Sequence, residues 1–538
     1  MDGGAKQDEM ANNIKLEIKS RSRRSDAVRQ TNRTGSKTTS GSDANALGPR
    51  DDPTSGREDA NSVRSDNVVS EISAAEWFPS PESGSVGSRA STQVESQVGH
   101  LPLDPILNAF YLDHVFGFLY PFYQPSSRRG GRAWIFELLT TSVAFRQIVL
   151  SYSTYFYDLV APVESHGNGR TQVDRLLQAE SSFTALSQSL QTLLSVGNLG
   201  AHTHCACRVL TSIVQHHRYE ITTSNSNWKI HLDAALTLFT RLIDNYSDTM
   251  DCRHQPSTAS TYNHIIRDLN IPRQEAFVFS VGLVVFDDIV AAASSHQEPR
   301  LYQYDQQLLG GDDPALELET IVGVKSCILK LLGQVASLNA KKHQDQAAGN
   351  LDGLVLAQRA STIMESLMAN LEQLQTSSAL PSGPREERDC LEEFRTPCYS
   401  RYTAQDTRLV SQVWTHATMV YLITVVSGWQ PANAILRHHV DEIVQLLQER
   451  IPPPLIRVMV WPLCVAGCLA DPLQKRLLLD IVSMLQPIAL FPNVHKAVKV
   501  MEWAWQQVNS CQGGDQLVNN HLDLAACFQS QAESPLFV

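Results

Sequence analysis

Val460-Trp461-Pro462-Leu463-Cys464-Val465-Ala466-Gly467-Cys468-Leu469-Ala470 is the stretch on which the fold turns. It is apolar on every face, has small residues spaced through it, and follows three consecutive prolines, Pro452 to Pro454. A helix that is apolar all round has to be buried. Its small residues let neighbouring backbones come close. One proline near the start is tolerated in a first turn, where the missing N–H has no bond to lose. The stretch therefore reads as one buried helix anchored by Trp461, which should be more than about 90% buried.

Upstream of it the 3.6-residue period recurs. Trp228, Leu232, Ala235, Leu236, Phe239, Leu242 and Ile243 line one face, and Ile321, Val324, Ile328, Leu331, Leu332, Val335 and Leu338 line another. Ile363, Met364, Leu367, Leu371 and Leu374 form a third set, and Val440, Ile443, Val444, Leu447 and Ile451 a fourth. No sustained period-2 alternation, strand-flanked hairpin turn or fixed-period repeat accompanies them. The fold class is all-α: a single large helical domain of packed antiparallel helices, an irregular, solenoid-like bundle preceded by a disordered N-terminal arm.

Composition sets the divisions. Residues 1–100 are poor in large apolar residues and rich in Ser, Asp, Arg, Asn, Gly and Thr, too polar to offset the entropy of ordering, so they form the disordered arm. Lys19, Arg21, Arg23, Arg24, Arg29 and Arg33 make a loose basic cluster in it. That cluster suits a solvated tail, a nuclear-import signal or an electrostatic contact with DNA. Trp77-Phe78-Pro79 is an aromatic island, read as a docking motif or as the fringe of the folded part. Residues 101–510 are the helical domain and 511–538 a weakly helical C-terminal tail. Asp104 is placed to cap a helix beginning at Pro105 and running from Ile106 to Tyr120. Trp134 to Tyr157 reads as one or two helices. Loops are expected at 161–172, 246–272, 296–318, 340–352 and 376–406, the last of them mobile.

The 538 residues carry a net charge of -12, which excludes the whole chain as a non-specific polyanion binder. The ten cysteines are scattered and mostly lie within apolar patterns, as reduced core residues of an intracellular protein do. The first twenty residues hold no apolar signal-peptide core. The longest apolar runs, Ala276–Phe286 and Val458–Ala470, fall short of the roughly 20 residues a bilayer needs, so no membrane partner is expected.

Few residues suggest chemistry. His202-Thr203-His204-Cys205-Ala206-Cys207 holds four potential zinc or copper ligands, but helical neighbours point in different directions and tetrahedral sites draw on separated segments. It reads better as a helix start with core cysteines. His216-His217 and His438-His439 read as surface residues or caps. The neighbouring carboxylates Asp287-Asp288 cannot flank one substrate atom as an acid–base pair does, and read as the acidic end of a buried helix. Gly167-Asn168-Gly169 lacks the third glycine and the βαβ frame of a dinucleotide loop. No nucleophile elbow, phosphate-binding loop or His-Glu-x-x-His occurs. No catalytic, cofactor-binding or metal residue is assigned, no cofactor is expected, and the chain is not read as an enzyme. Trp134, Trp228, Trp414, Trp461, Trp503 and Trp505 are expected as core anchors, with lining of a ligand cavity as the alternative.

Taken in order, a series of short motifs resembles the fungal-specific transcription factor domain, the regulatory region that follows the zinc-cluster DNA-binding module in many fungal regulators. The series begins with Tyr111-Leu112-Asp113-His114-Val115-Phe116, Tyr120-Pro121-Phe122-Tyr123 and Gly131-Arg132-Ala133-Trp134-Ile135, which runs into Leu138-Leu139. It continues with Trp228 followed by His231-Leu232-Asp233-Ala234-Ala235, then Val284-Val285-Phe286-Asp287-Asp288-Ile289, Pro299-Arg300-Leu301 and Ile321-Val322-Gly323. Val413-Trp414-Thr415-His416-Ala417 with Tyr421-Leu422, and Trp461-Pro462 with Ala466-Gly467-Cys468, complete it. The nearest likeness is to the subgroup that includes regulators of fungal sexual development.

The resemblance implies a nuclear transcription regulator, shuttling with the cytoplasm as an option. Its partners would be other transcription regulators or co-regulators, in a homo- or heterodimer. It also implies a domain that senses effectors. The family's DNA reader folds around two zinc ions held by six cysteines. Here the first cysteine is Cys205 and no Cys-x-x-Cys occurs, so contact with DNA is expected only indirectly or through the basic arm. Two versions stay open: a regulator that works through partners or an effector, and a longer gene product whose cluster lies upstream of Met1. The alternative class is an α-helical scaffold or adaptor outside transcription.

Overall fold

The computed structural model describes residues 103–124, 130–160, 170–195, 202–223, 227–249, 257–311, 313–376, 402–511, 522–531 and 535–538, together with Cys390 and Phe394. Eighteen α-helices and no strand occur among the described residues. The basic cluster, the aromatic island, the Gly-Asn-Gly triplet and most of the 376–406 loop lie outside them.

The chain enters through α1 (Leu103–Phe110), a π-helical turn (Tyr111–Val115) and α2 (Phe116–Leu119). This run starts two residues before Pro105, with Asp104 in its first turn rather than before it. The proline is accommodated because first-turn N–H groups have no helical partner. Next come α3 (Ala133–Thr141) and α4 (Val143–Val160), two helices bent through 112° at Ser142. Ser142 Oγ accepts the Phe145 N–H at 3.2 Å, a local bond of the kind that starts a new helix. Then follow α5 (Arg170–Ser195), α6 (Thr203–Thr222) and α7 (Trp228–Thr249).

Two helices occupy stretches that the sequence reading leaves as loops: α8 (Thr258–Asp268), and α10 (Tyr302–Leu308) after the central α9 (Ile271–Ala293). Both are short and polar, too brief to show a period, but Ser257 caps α8 by accepting from Ser260 N. The next pair is α11 (Ser326–Ala347) and α12 (Gly353–Thr376). The loop expected at 340–352 therefore shrinks to the residues after Ala347. The second half contains α13 (Ala404–Ser427), α14 (Ala434–Glu449), a 3₁₀ turn (Pro453–Val458), α15 (Val460–Cys468) and α16 (Pro472–Ser483). The last elements are α17 (Pro492–Cys511) and α18 (Leu524–Phe528). Capping boxes at Thr403/Asp406 and Asp471/Gln474 start α13 and α16.

Each long helix packs on its sequence neighbour and on one or two distant ones. Thus α4 lies on α5, α6 on α7 and α13 on α14, while α9 packs against α6 and α11, and α15 against α13 and α17. Three elements sit deepest: α9, α13 and the fold-deciding α15, every residue of which is buried. Trp461 is fully buried, as expected. It stacks on Trp414 with centroids 5.6 Å apart and an 11° interplanar angle, and meets the edge of Tyr421. At Gly467 an added Cβ would run into the Met501 sulfur, so the small residues do bring α15 and α17 together.

α9 and α13 correct the apolar-run argument, since both are long and apolar enough to cross a bilayer. Their apolar windows are 89% and 94% buried inside this fold, which accounts for their composition without a membrane. In the C-terminal segment α18 is buried almost throughout, and Leu536 and Phe537 are buried with it.

Candidate functional site

An apolar cavity of about 110 Å³ opens where several parts of the chain converge. Phe118, Tyr120 and Pro121 come from the end of the first helical run, and Arg218, Ile221 and Thr222 from the last turns of α6. α9 supplies Leu283 and Phe286, the turn before α11 supplies Ile321 and Val322, the entry into α15 supplies Arg457 and Val458, and the turn into α17 supplies the run Leu490–Val494. Gly323 holds φ at +80°, and a Cβ there would strike the Phe122 ring, so this turn can lie against the first run only with glycine.

Two guanidinium groups stand in this apolar wall. Arg457 donates from Nε to the Phe118 carbonyl at 3.0 Å and lies 4.2 Å over the Phe118 ring. Arg218 pairs with Asp287, Nη2 to Oδ1 at 2.7 Å, and lies 5.8 Å over Phe286. Asp287 is fully buried, and His217 Nε2 approaches its other oxygen at 3.1 Å. Arg218 Nε has no hydrogen-bond partner among the described residues. Beside the pair, Tyr111 and Tyr120 both donate to Gln215 Oε1, at 3.2 and 3.4 Å. Burial pushes the Tyr120 phenol up to about 12, against a smaller pull from Arg218. The arrangement is an apolar cage with two half-buried guanidinium groups in its wall, that of Arg218 neutralised by Asp287, suited to holding a compact molecule.

The sequence-level candidates fall elsewhere. In the run from His202 to Cys207, Cys207 is buried inside α6 and its thiol is held protonated by burial, while His204 is exposed. His216, His217 and His439 are buried, correcting the surface-or-cap reading. His216 bonds the Ser182 hydroxyl at 2.6 Å and the Ser212 carbonyl at 2.8 Å, and His439 meets His416 at 3.1 Å between Nδ1 atoms. Asp287 and Asp288 diverge within α9 rather than at its end. Asp288 accepts the Leu301 N–H at 2.8 Å, and burial lifts its carboxyl to about 6. No tryptophan is among the described residues that line the cavity.

One constellation had no sequence signal at all. His296 just after α9, His343 in α11 and Asp523 at the start of α18 come together. They are the one group of potential metal ligands found among the described residues. They lie 227 and 180 positions apart, so no spacing rule could join them.

Comparison with known proteins agrees with the fold and the ordered motifs. The family model described as "Fungal specific transcription factor domain" matches residues 106–527. The chain belongs to this family, whose proteins are fungal transcription regulators rather than enzymes. "Transcription factor dibT" of Pestalotiopsis microspora is 30% identical over 83% of this chain and 73% of its own length. "Pestheic acid cluster transcriptional regulator 3" of Pestalotiopsis fici is 24% identical over 68% of this chain and 64% of its own. "Trichothecene biosynthesis transcription regulator TRI10" of Trichoderma arundinaceum is 22% identical over 74% of this chain and 90% of its own. No solved structure matches.

Proposed function

We propose that residues 101–510 form the regulatory domain of a nuclear transcription regulator, with residues 1–100 as an N-terminal arm carrying a loose basic cluster and 511–538 as a C-terminal tail whose described part packs on the domain. Control of transcription is exerted through other regulators or co-regulators in a homo- or heterodimer, and DNA is reached through them or through the arm. The loose basic cluster from Lys19 to Arg33 supports contact with DNA through the arm. Relatives named for the pestheic acid cluster and trichothecene biosynthesis support a biosynthetic gene cluster as the target.

The observation that carries an effector-responsive mechanism is the cavity itself. It touches the first helical run, α6, α9, the turn before α11, the entry into α15 and the start of α17, so an occupant changes the contacts of all of them at once. A cavity of about 150 Å³ accepts benzene, so this one fits a molecule of similar or smaller size. Its apolar wall selects a largely apolar compound, and the Arg457 guanidinium favours an electron-rich group beside it.

Transcript profiling tests the reading. Deleting the gene should change expression of a co-located biosynthetic cluster, and unchanged transcripts would sink the proposal. Leu283→Phe, which narrows the cavity, should leave the protein folded and nuclear but uncouple transcript levels from growth conditions. A response identical to the parent would remove the cavity from the mechanism.

A further inference from the structure

We propose that His296, His343 and Asp523 bind one divalent first-row transition metal ion, with Zn²⁺ as the reference, which pins the C-terminal helix α18 to the ends of α9 and α11. Two imidazoles and one carboxylate suit such ions rather than Mg²⁺ or Ca²⁺, which prefer oxygen ligands. The proposal does not depend on the effector cavity.

The geometry points to an ion. His296 Nε2 lies 2.8 Å from Asp523 Oδ2, and His343 Nε2 lies 3.7 Å from the same oxygen. The two rings are 3.8 Å apart at their centroids, and all three ligand atoms lie within 4.8 Å of one another. Around zinc, with ligands about 2.0–2.1 Å away, tetrahedral ligand atoms stand roughly 3.3 Å apart, midway between the two separations seen. Small rotations of the side chains would close the shell.

The supporting interactions are in place. Asp523 Oδ1 accepts the Ala526 N–H at 2.7 Å as the cap of α18, which fixes the carboxylate plane and turns Oδ2 towards the two imidazoles. Ligating carboxylates are commonly held by such a second bond. The three side chains are each about one-third exposed, at 35%, 33% and 35%, so an ion can enter and water can complete the shell. The nearby Lys342 ammonium is engaged elsewhere, donating to the Val425 carbonyl at 2.7 Å.

The ligands come from three separated segments, and the ion would stabilise their meeting. α18 brings Phe528 to 6.5 Å from Trp461, so holding Asp523 also holds this apolar contact with α15. The competing explanation is a clamp made of imidazole–carboxylate hydrogen bonds alone.

The test is a Zn²⁺ titration of the purified full chain after chelator treatment, read by elemental analysis after gel filtration and by thermal shift. One equivalent of Zn²⁺ should be retained and should raise the melting temperature, and Mg²⁺ should do neither. Asp523→Asn keeps a capping side chain and His343→Gln keeps the helix. Each should weaken Zn²⁺ binding by about tenfold or more. Replacing His202, His204 and Cys205 together should leave the equivalent intact. No retained zinc and no thermal shift would overturn the proposal, leaving the hydrogen-bonded clamp. Unchanged affinity in the Asp523→Asn/His343→Gln double variant would also overturn it.

Discussion

At the scale of single residues, the energetics concentrate in a few buried side chains. Trp461 loses all contact with water, and its indole faces Trp414, Tyr421 and Phe528. Trp461→Ala should cost about 3–5 kcal/mol in denaturant unfolding, because a buried indole leaves a cavity its neighbours only partly fill. The sequence announced this residue: a tryptophan inside an all-apolar run has nowhere to go but the core. Arg218 is different. Its partner Asp287 lies 69 positions away and is fully buried, so Arg218→Met strands a carboxylate in the interior. The expected cost is about 3–5 kcal/mol, and Asp287→Asn in that background should recover part of it. Nothing local marked this pair, since an arginine beside two histidines reads equally well as surface. The His296, His343 and Asp523 group was illegible for the same reason.

At the scale of elements, legibility followed length and periodicity. The long helices α7 and α12 each carry a whole apolar stripe visible in the sequence, whereas α11 carries the second only from Ile328 and α14 the fourth only to Leu447, with Ile321, Val324 and Ile451 in the adjoining turns. The short α8 and α10 were missed because a helix of two or three turns shows no period that outweighs its polar content. Packing against neighbours supplies what propensity lacks. The run at Val460–Ala470 was read correctly from its small residues, and Gly467 states why they matter. Gly467→Ala should cost about 1–3 kcal/mol by forcing α15 and α17 apart or displacing Met501. If the Met501 side chain is the obstacle, the penalty should shrink in a Met501→Ala background, as a double-mutant cycle would show. An undiminished penalty would place the strain in the backbone.

At the scale of the whole molecule, buried histidines set the response to acid. Burial, aided by neighbouring imidazoles for some, holds His216 and His439 at about 4 and His231 and His416 at about 3. An unfolded chain titrates them near 6.5. The folded values are depressed, so the stability from keeping these rings neutral is complete above about pH 6.5. It drains away as pH falls towards 3–4. Asp288, lifted to about 6, and Asp305, raised well above its usual range, act in the opposite sense, because acid relieves the cost of burying their charge. Replacing the His416–His439 pair by two glutamines should therefore flatten the loss of stability between pH 7.5 and 5.5, measured by thermal melts across that range. A steeper loss than in the parent would contradict this account. What the sequence determined alone was the all-α class, the buried run at α15 and the family, because periodicity and short motifs are local properties of a chain. Only the tertiary structure decided the cavity, the Arg218–Asp287 pair and the His–His–Asp cluster. Each joins residues far apart in sequence, and such juxtapositions arise only when helices pack.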